Sequence, residues 1–326
     1  MADKGAPLLS VEGLSVSMNT EDGRIVLIDD VSFALRRGEV LGLVGESGCG
    51  KSVTAQTIMR LLAMPPARIE RGRIGFEGRD LVGLSEQGMR ALRGDRMGMI
   101  FQEPVTSLNP TMTIGRQIAE VLILHRGASA ADARRAAAAM LDQVGIAEAG
   151  RRLDQFPHEL SGGMRQRVMI AMALVCRPAV LIADEPTTAL DVTIQAQILA
   201  LLRRLKDEFG LAILLITHDL GVVAEMCDRV VVMYAGRVVE HGLTRRVLGQ
   251  PRHPYTAGLL TSSRRKDARG GRLPVIPGMV PPPGSWGDAC RFSDRCARAL
   301  PRCLRELPRL APVAGGGEAA CWNPVP

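Results

Sequence analysis

No apolar run in this sequence is long enough to cross a bilayer. The longest, such as Val168 to Cys176, fall well short of the ~18 residues a membrane helix needs. Met1 to Pro7 has no signal-peptide core, so the chain is expected to fold as a globular protein in the cytosol. There is also no internal repeat, which favours one principal domain over a tandem pair. None of the seven cysteines stands in the C-x2-4-C pairs that zinc sites favour, and in a reducing compartment disulfides are not expected. An excess of one charge is missing from most of the chain. Of 41 basic and 34 acidic residues, residues 251–326 carry 12 and 5, leaving 29 of each in the first 250. The net +7 therefore lies in the tail, which could meet anionic lipid or nucleic acid, balance a bound anionic centre, or simply be solvated surface.

What is present begins with composition. The 326 residues are 46% hydrophobic, enough for one large α/β domain and a smaller appendage. The informative stretch is Gly45-Glu46-Ser47-Gly48-Cys49-Gly50-Lys51-Ser52, which follows the apolar run Val40 to Val44 and precedes a helical pattern over Val53 to Leu62. Strand, glycine loop, helix is the context that G-x-x-x-x-G-K-[ST] requires, because backbone N–H groups at the helix start can then turn onto phosphate oxygens. Lys51 is placed to reach the β- and γ-phosphates of a nucleoside triphosphate, and Ser52 to ligate Mg²⁺.

Taken in order, Leu8 to Ser17 and Ile25 to Leu35 alternate like half-buried strands around a turn at Asn19 to Gly23, predicting an antiparallel flap to which Arg73 to Phe76 adds a strand. A short helix over Ser85 to Leu92 leads to the strand Met97 to Phe101. Residues 103–176 then change character. Ile114 to His125 and Ala130 to Val144 read as amphipathic helices without an intervening strand, an inserted helical subdomain. Its last helix opens at Leu160-Ser161-Gly162-Gly163-Met164-Arg165-Gln166, with Ser161 as N-cap, and offers a second anion-binding helix end. The buried strand Val180 to Ala183 delivers Asp184 and Glu185 to its carboxyl edge, where Pro186 stops it. A helix over Thr193 to Phe209, a strand ending at Thr217-His218-Asp219, and strands over Arg229 to Met233 and Val238 to Glu240 follow. The predicted core is a mostly parallel sheet wrapped by helices. Beyond residue 250, where 12 of the 20 prolines lie, composition shifts and a domain boundary is expected.

The phosphate loop, Gln102, Leu160 to Gln166, Asp184-Glu185, Ala189-Leu190-Asp191 and His218, in that order, resemble the nucleotide-binding subunit of ABC transporters over residues 8–250. The resemblance implies a P-loop NTPase fold with a β flap and a helical subdomain at about 103–176, followed by an irregular extension at 251–326. It implies that Asp184 holds Mg²⁺ through water, that Glu185 is the general base, and that His218 and Gln102 sense the γ-phosphate, Gln102 also the metal. It implies further that Ser161, Gly162, Gly163 and Gln166 serve ATP bound by a second, partner ATPase domain, with Asp191 packed at that interface. The family usually stacks adenine on an aromatic residue; Leu14 to Met18 has none, and Met18 is the nearest candidate.

Phe101 to Pro110, with His253-Pro254-Tyr255-Thr256-Ala257-Gly258-Leu259-Leu260 downstream, is similar to the dipeptide/oligopeptide-importer branch, close to its D-type subunit. That implies an ATPase peripheral to the cytoplasmic face of the inner membrane. Its partners would be a paralogous ATPase subunit, two permease subunits and an extracytoplasmic solute-binding protein, without nucleic acid. The competing reading is a soluble ABC ATPase acting on nucleic acid or ribosomes, which the basic tail keeps open and the single domain argues against. Four late cysteines, Cys290, Cys296, Cys303 and Cys321, are read as a [4Fe–4S] ligand set, with Zn²⁺ or no metal as alternatives, and with a role in folding or permease docking rather than nucleotide chemistry.

Overall fold

The computed structural model describes residues 6–103, 107–188, 190–264 and 275–326. The chain divides into two compact units. The first takes the described residues within 1–35, 40–82 and 216–326, and the second those within 36–39 and 83–215.

In chain order the first unit opens with β1 (Leu9–Thr20), β2 (Gly23–Leu35), β3 (Val40–Val44), α1 (Lys51–Ile58), β4 (Ala67–Phe76) and β5 (Arg79–Asp80). The second contains α2 (Glu86–Leu92), β6 (Met97–Ile100), α3 (Ile114–Arg126), α4 (Ala130–Gln143), α5 (Ala149–Arg152), α6 (Gly162–Leu174), β7 (Val180–Asp184) and α7 (Val192–Phe209). Strand β8 (Ala212–Thr217) carries the chain back to the first unit, which continues with α8 (Leu220–Met226), β9 (Arg229–Tyr234), β10 (Arg237–Leu243), α9 (Thr244–Gly249), α10 (Pro254–Arg264), β11 (Ala311–Pro312) and β12 (Glu318–Ala319).

The flap of the first unit is antiparallel, in the order β2-β1-β4-β5, with Leu9 opposite both Leu35 and Phe76. Beside the flap in the same unit, β3 pairs in parallel with β9, and β9 turns back into β10 through Ala235 and Gly236. Both turn residues have positive φ (43° and 78°), the combination a tight two-residue hairpin requires. Strand β10 pairs with β12, and β12 with β11, so the C-terminal tail supplies edge strands here. Residues 275–326 thus belong to the same compact unit as the phosphate loop.

In the second unit β6 runs parallel to β7, Met97 opposite Val180 and Ile100 opposite Ala183, and β8 lies on the far side of β7. Every residue of β6 and β7 is buried, which is why these strands read as continuous apolar runs rather than alternating ones. Helices α3, α4 and α6 pack on one another. Three of the longer helices begin at side-chain caps, of which Ser161 was expected: Ser129, Ser161 and Asp191 accept the N–H of Asp132, Met164 and Ile194 at 3.2, 3.3 and 2.9 Å. Helix α6 crosses β6 closely enough that a Cβ on Gly98 would come within 2.5 Å of the Ala173 carbonyl oxygen. Among the described residues no helix is long and apolar enough to cross a membrane.

Candidate functional site

The phosphate loop leaves β3 and closes onto α1 in the first unit. A Cβ on Gly45 would strike the Met233 carbonyl oxygen and stand 2.7 Å from Cys49 Sγ, and one on Gly50, whose φ is +102°, would stand 2.6 Å from Ile28. Only glycine fits either place. Ser47 and Gly48 are exposed at the tip, whereas Cys49 is buried, and that burial pushes its thiol pKa up despite the neighbouring ammonium of Lys51. Lys51 is 5% exposed; its Nζ donates to the carbonyls of Gly45 at 2.7 Å and Glu46 at 3.1 Å. Helix α1 starts at Lys51 behind Gly50, whose αL backbone brings no side-chain cap, so the first-turn N–H groups, with Ser52 among them, face the loop. Met18 lies half-buried on β1 between Ile25 of β2 and Ala67 of β4.

The carboxylates belong to the second unit. Asp184 ends β7 and is buried; Glu185 follows with φ 47°, a left-handed conformation that costs a non-glycine residue on the order of 1 kcal/mol. Glu185 Oε2 accepts from Gln102 Nε2 at 3.3 Å and from Thr188 Oγ1 at 2.8 Å. The structure therefore brings Gln102 and Glu185 together and adds Thr188, which the sequence reading missed. Gln166 is buried and donates to the Pro186 carbonyl at 2.6 Å, tying α6 to the turn that carries both carboxylates. Ser161 is exposed at the start of that helix. A Cβ on Gly163 would come within 3.0 Å of Ile194, so this glycine also lets α6 and α7 approach. Asp191 caps α7 next to Val192, which is 83% exposed. His218 is exposed directly after β8 in the first unit, followed by Asp219, which caps α8.

In the importer-like segment, Pro104, Val105 and Thr106 lie outside the described residues, as does Ala189 of the Ala189-Leu190-Asp191 stretch. The described end is anchored by Gln117, a second missed residue. Its Oε1 accepts from Asn109 N at 2.9 Å and its Nε2 donates to the carbonyls of Asn109 and Met112.

The tail makes contacts that no local pattern announced. Glu46, second residue of the phosphate loop, donates its N–H to Tyr255 Oη at 2.8 Å, and its carboxylate takes both terminal nitrogens of Arg295, at 2.8 and 3.0 Å. Tyr234, Tyr255 and Phe292 pack around the pair with ring centroids 4.6 to 5.5 Å apart. His253 beside them is fully buried; desolvation drives its pKa down to about 3, so it stays neutral, and its Nδ1 accepts from Tyr255 N. Asp29 on β2 meets Arg237 and Arg291, both at 2.6 Å; burial pushes its carboxyl pKa up, but the two guanidiniums outweigh that and hold it low. These contacts fasten the tail to the nucleotide loop, although the two are far apart in sequence. Three of the tail's arginines are engaged internally: Arg291 with Asp29, Arg295 with Glu46, Arg302 with Glu306.

The cysteines divide as expected, but the metal reading gains no geometric support. Cys49, Cys176 and Cys227 are buried, and burial lifts the Cys227 thiol to about 12. Burial raises Cys290, Cys296 and Cys321 as well, the last to about 11, with repulsion among the four tail thiols adding to it. They are neighbours. Yet Cys303 Sγ and Cys321 Sγ accept backbone N–H groups, from Leu300 and Asn323 at 3.4 Å, and among the described residues no group of three or more His, Cys, Asp or Glu converges as a metal ion requires.

A parallel-strand core, a glycine loop closing on a helix, and a strand-end Asp-Glu pair braced by a glutamine define a P-loop ATPase of the ABC class. Residues 28–188 match the ABC transporter family, and residues 239–303 match the oligopeptide/dipeptide transporter C-terminal region. A putative peptide import ATP-binding protein of Brucella abortus is 53% identical over 332 residues, covering 98% of each chain. The oligopeptide transport ATP-binding protein OppD of Salmonella typhimurium is 51% identical over 322 residues, covering 98% of this chain and 94% of its own. Among solved structures, the dimeric post-hydrolysis state of the ATP-binding cassette MJ0796 with ADP and Pi superposes with a TM-score of 0.65 at 28% identity, over 73% of this chain and 99% of that one. The chain belongs to the ABC transporter family, in its oligopeptide/dipeptide branch.

Proposed function

We propose that this chain hydrolyses ATP to energise an importer of peptides or related small solutes, as the ATPase subunit beneath a membrane permease. The observation that carries the reading is Glu185, held by Gln102 and Thr188 immediately after the buried strand-end Asp184. Phosphoryl transfer needs positioning and charge stabilisation more than covalent participation, and the residues supply those parts. Lys51 and the loop amides bind the phosphates; Glu185 takes the proton of the attacking water; His218 keeps that water aligned. Ser52, Asp184 and Gln102 offer only oxygen donors, the set a hard Mg²⁺ selects, and the bound ion would neutralise the β- and γ-phosphate charge. Met18 would pack its thioether on the adenine.

The remaining parts follow from the family. Ser161, Gly162, Gly163 and Gln166 would serve ATP on a second ATPase subunit, a paralogue, with Asp191 and the exposed Val192 at that contact. Two permease subunits and an extracytoplasmic binding protein would complete an assembly at the cytoplasmic face of the inner membrane, with residues 103–176 as the helical subdomain facing the permease. The reading as a soluble ATPase on nucleic acid or ribosomes is not favoured, since the near-full-length relatives are named as peptide import and oligopeptide transport ATP-binding proteins.

The test is reconstitution with permease and binding protein in vesicles. ATP-dependent uptake of a labelled oligopeptide is expected, and Lys51→Ala should abolish both uptake and ATP binding measured by titration. Uptake that survives Lys51→Ala would remove the loop from the energising step.

The finer cofactor reading, a [4Fe–4S] cluster or alternatively Zn²⁺ on Cys290, Cys296, Cys303 and Cys321, has only the presence of four thiols in one loop-rich region behind it, because among the described residues no metal-holding group converges. Anaerobically purified protein should then carry about four iron per chain. Cys296→Ser should empty it and Cys176→Ser should not. Metal-free protein with wild-type melting would leave the four thiols as packing residues.

A further inference from the structure

Glu46 is fixed at three points. Its N–H goes to Tyr255 Oη (2.8 Å), its carboxylate is gripped in two-pronged fashion by Arg295 (2.8 and 3.0 Å), and its own carbonyl accepts from Lys51 Nζ (3.1 Å). Two of these anchors come from the C-terminal region, more than 200 residues away in sequence. Neither is a loose surface contact. The Arg295 side chain is 5% exposed, donates also to Tyr234 Oη at 3.2 Å and to the Pro277 carbonyl at 2.8 Å, and lies 5.7 Å from the Tyr234 ring centroid. Tyr255 is fully buried, and burial raises its phenol pKa, so the hydroxyl keeps its proton. Hydrogen bonding to Glu46 raises the Arg295 pKa above its usual value, so the guanidinium stays charged.

We infer that Arg295 and Tyr255 are positioning residues for ATP: through Glu46 they hold the carbonyls on which Lys51 rests, making the C-terminal region part of the nucleotide site. A two-pronged guanidinium fixes a carboxylate's orientation as well as its place, and the Tyr255 hydroxyl fixes the peptide plane of the same residue. With both lost, the loop samples arrangements in which the Lys51 ammonium is displaced from the phosphate path. Apparent affinity then falls by the fraction of time the competent arrangement is populated. Because the loop grips the phosphates equally in the ground and transition states, the loss enters KM more than kcat.

The inference rests on the reading that this loop binds ATP, and the experiment separates the two. The full chain is titrated with a fluorescent ATP analogue, and the assembled transporter is assayed for kcat and KM, using Arg295→Gln, Arg295→Lys, Tyr255→Phe and the double variant Glu46→Gln/Arg295→Gln. Arg295→Gln and Tyr255→Phe are each expected to raise Kd and KM by about tenfold, the loss of one charge-assisted or buried hydrogen bond. The value of kcat should move less than KM. Arg295→Lys should recover part of the loss, and the double variant should be no weaker than Arg295→Gln alone. Should Arg295→Gln not fold, Tyr255→Phe decides, because it removes one hydroxyl and leaves the ring in its cluster. Unchanged Kd and KM in a folded variant overturn the positioning role, whereas wild-type protein that binds no ATP overturns the ATP reading itself.

Discussion

Glu185→Gln is expected to stop ATP turnover while leaving ATP bound. Glu185 ends its strand in a left-handed backbone conformation, and one carboxylate oxygen takes the Gln102 amide and the Thr188 hydroxyl together. A glutamine can present its carbonyl to the same two donors, so the side chain keeps its place. What disappears is the capacity to accept a proton from water. Loss of a positioned base costs roughly 10²- to 10⁴-fold in rate, and the neighbouring carboxylate, Asp184, is buried at the strand end one residue earlier. The phosphate-loop contacts of Lys51 lie with Gly45 and Glu46 and do not involve residue 185, so binding should persist. Phosphate release by the assembled transporter and retention of labelled ATP after gel filtration measure the two halves. Turnover within a few-fold of wild type would remove Glu185 from the base role and leave its strained conformation to packing alone.

The elements that the sequence made legible are those set by short-range rules. Strands β6 and β7 announce themselves as unbroken apolar runs, and β1 and β2 by alternation around a turn at Gly23. Helix α6 announces its first turn through Ser161, because a cap and its N–H partner are three residues apart; the structure shows the same arrangement at Ser129 of α4 and Asp191 of α7, which the sequence reading missed. The phosphate loop was legible because its glycines and lysine fall in one eight-residue pattern, although it is the distant Met233 and Ile28 that leave no room for a Cβ at Gly45 and Gly50. The Gln102–Glu185 pair was legible only through the family pattern, since 83 residues separate the two side chains. Nothing local marked Gln166 on Pro186, Gln117 on Asn109, or Arg295 on Glu46. Each is a polar side chain meeting the backbone or a carboxylate of a distant or differently folded segment, and hydrophobic periodicity carries no information about such pairs. The tail shows the limit most clearly. Its prolines and glycines concealed edge strands of two residues each, too short for any alternation to register; β12 pairs with β10 at Glu240 and His241, and β11 pairs with β12.

The basic tail also changes meaning once its contacts are known. As composition, its excess of arginine pointed equally to lipid, nucleic acid, a bound anion or water. As structure, Arg291 lies over the Trp286 ring at 4.3 Å while bonding Asp29, and Arg295 neutralises the acid of the phosphate loop. The Trp286 ring in turn presses on the β9–β10 hairpin at Gly236, where a Cβ would come within 2.5 Å of it. Two of the charges that looked available to a partner, Arg291 and Arg295, instead hold the tail against the flap and loop of its own unit. A protein of this kind should lose ATP affinity when the tail is loosened, before it loses its secondary structure.

Ser161→Arg carries the second large effect, and it should appear in a site to which this chain does not contribute its phosphate loop. The sequence holds one phosphate loop and one Leu160 to Gln166 stretch. Ser161 is exposed at the start of the 13-residue helix α6, with Gly162 and Gly163 in the first turn, so hydroxyl, N–H groups and the positive end of the helix dipole face outward together. Arginine there removes the cap on Met164 N, at a cost of about 1 kcal/mol to the helix, and fills the space a phosphate would enter. The buried Gln166 tie to Pro186 anchors α6 one turn further on, which keeps the helix folded in the variant. Loss of donors aimed at a reacting phosphate typically costs about 10²- to 10³-fold, so the assembled transporter should fall by at least that range. ATP binding by the isolated variant, read by titration at its own Lys51 loop, should match wild type, and the isolated wild-type chain should turn over slowly with a rate per chain that rises with concentration. A variant that loses ATP binding at its own loop, or a dilute wild-type monomer with full activity, would show that α6 serves the ATP of its own chain.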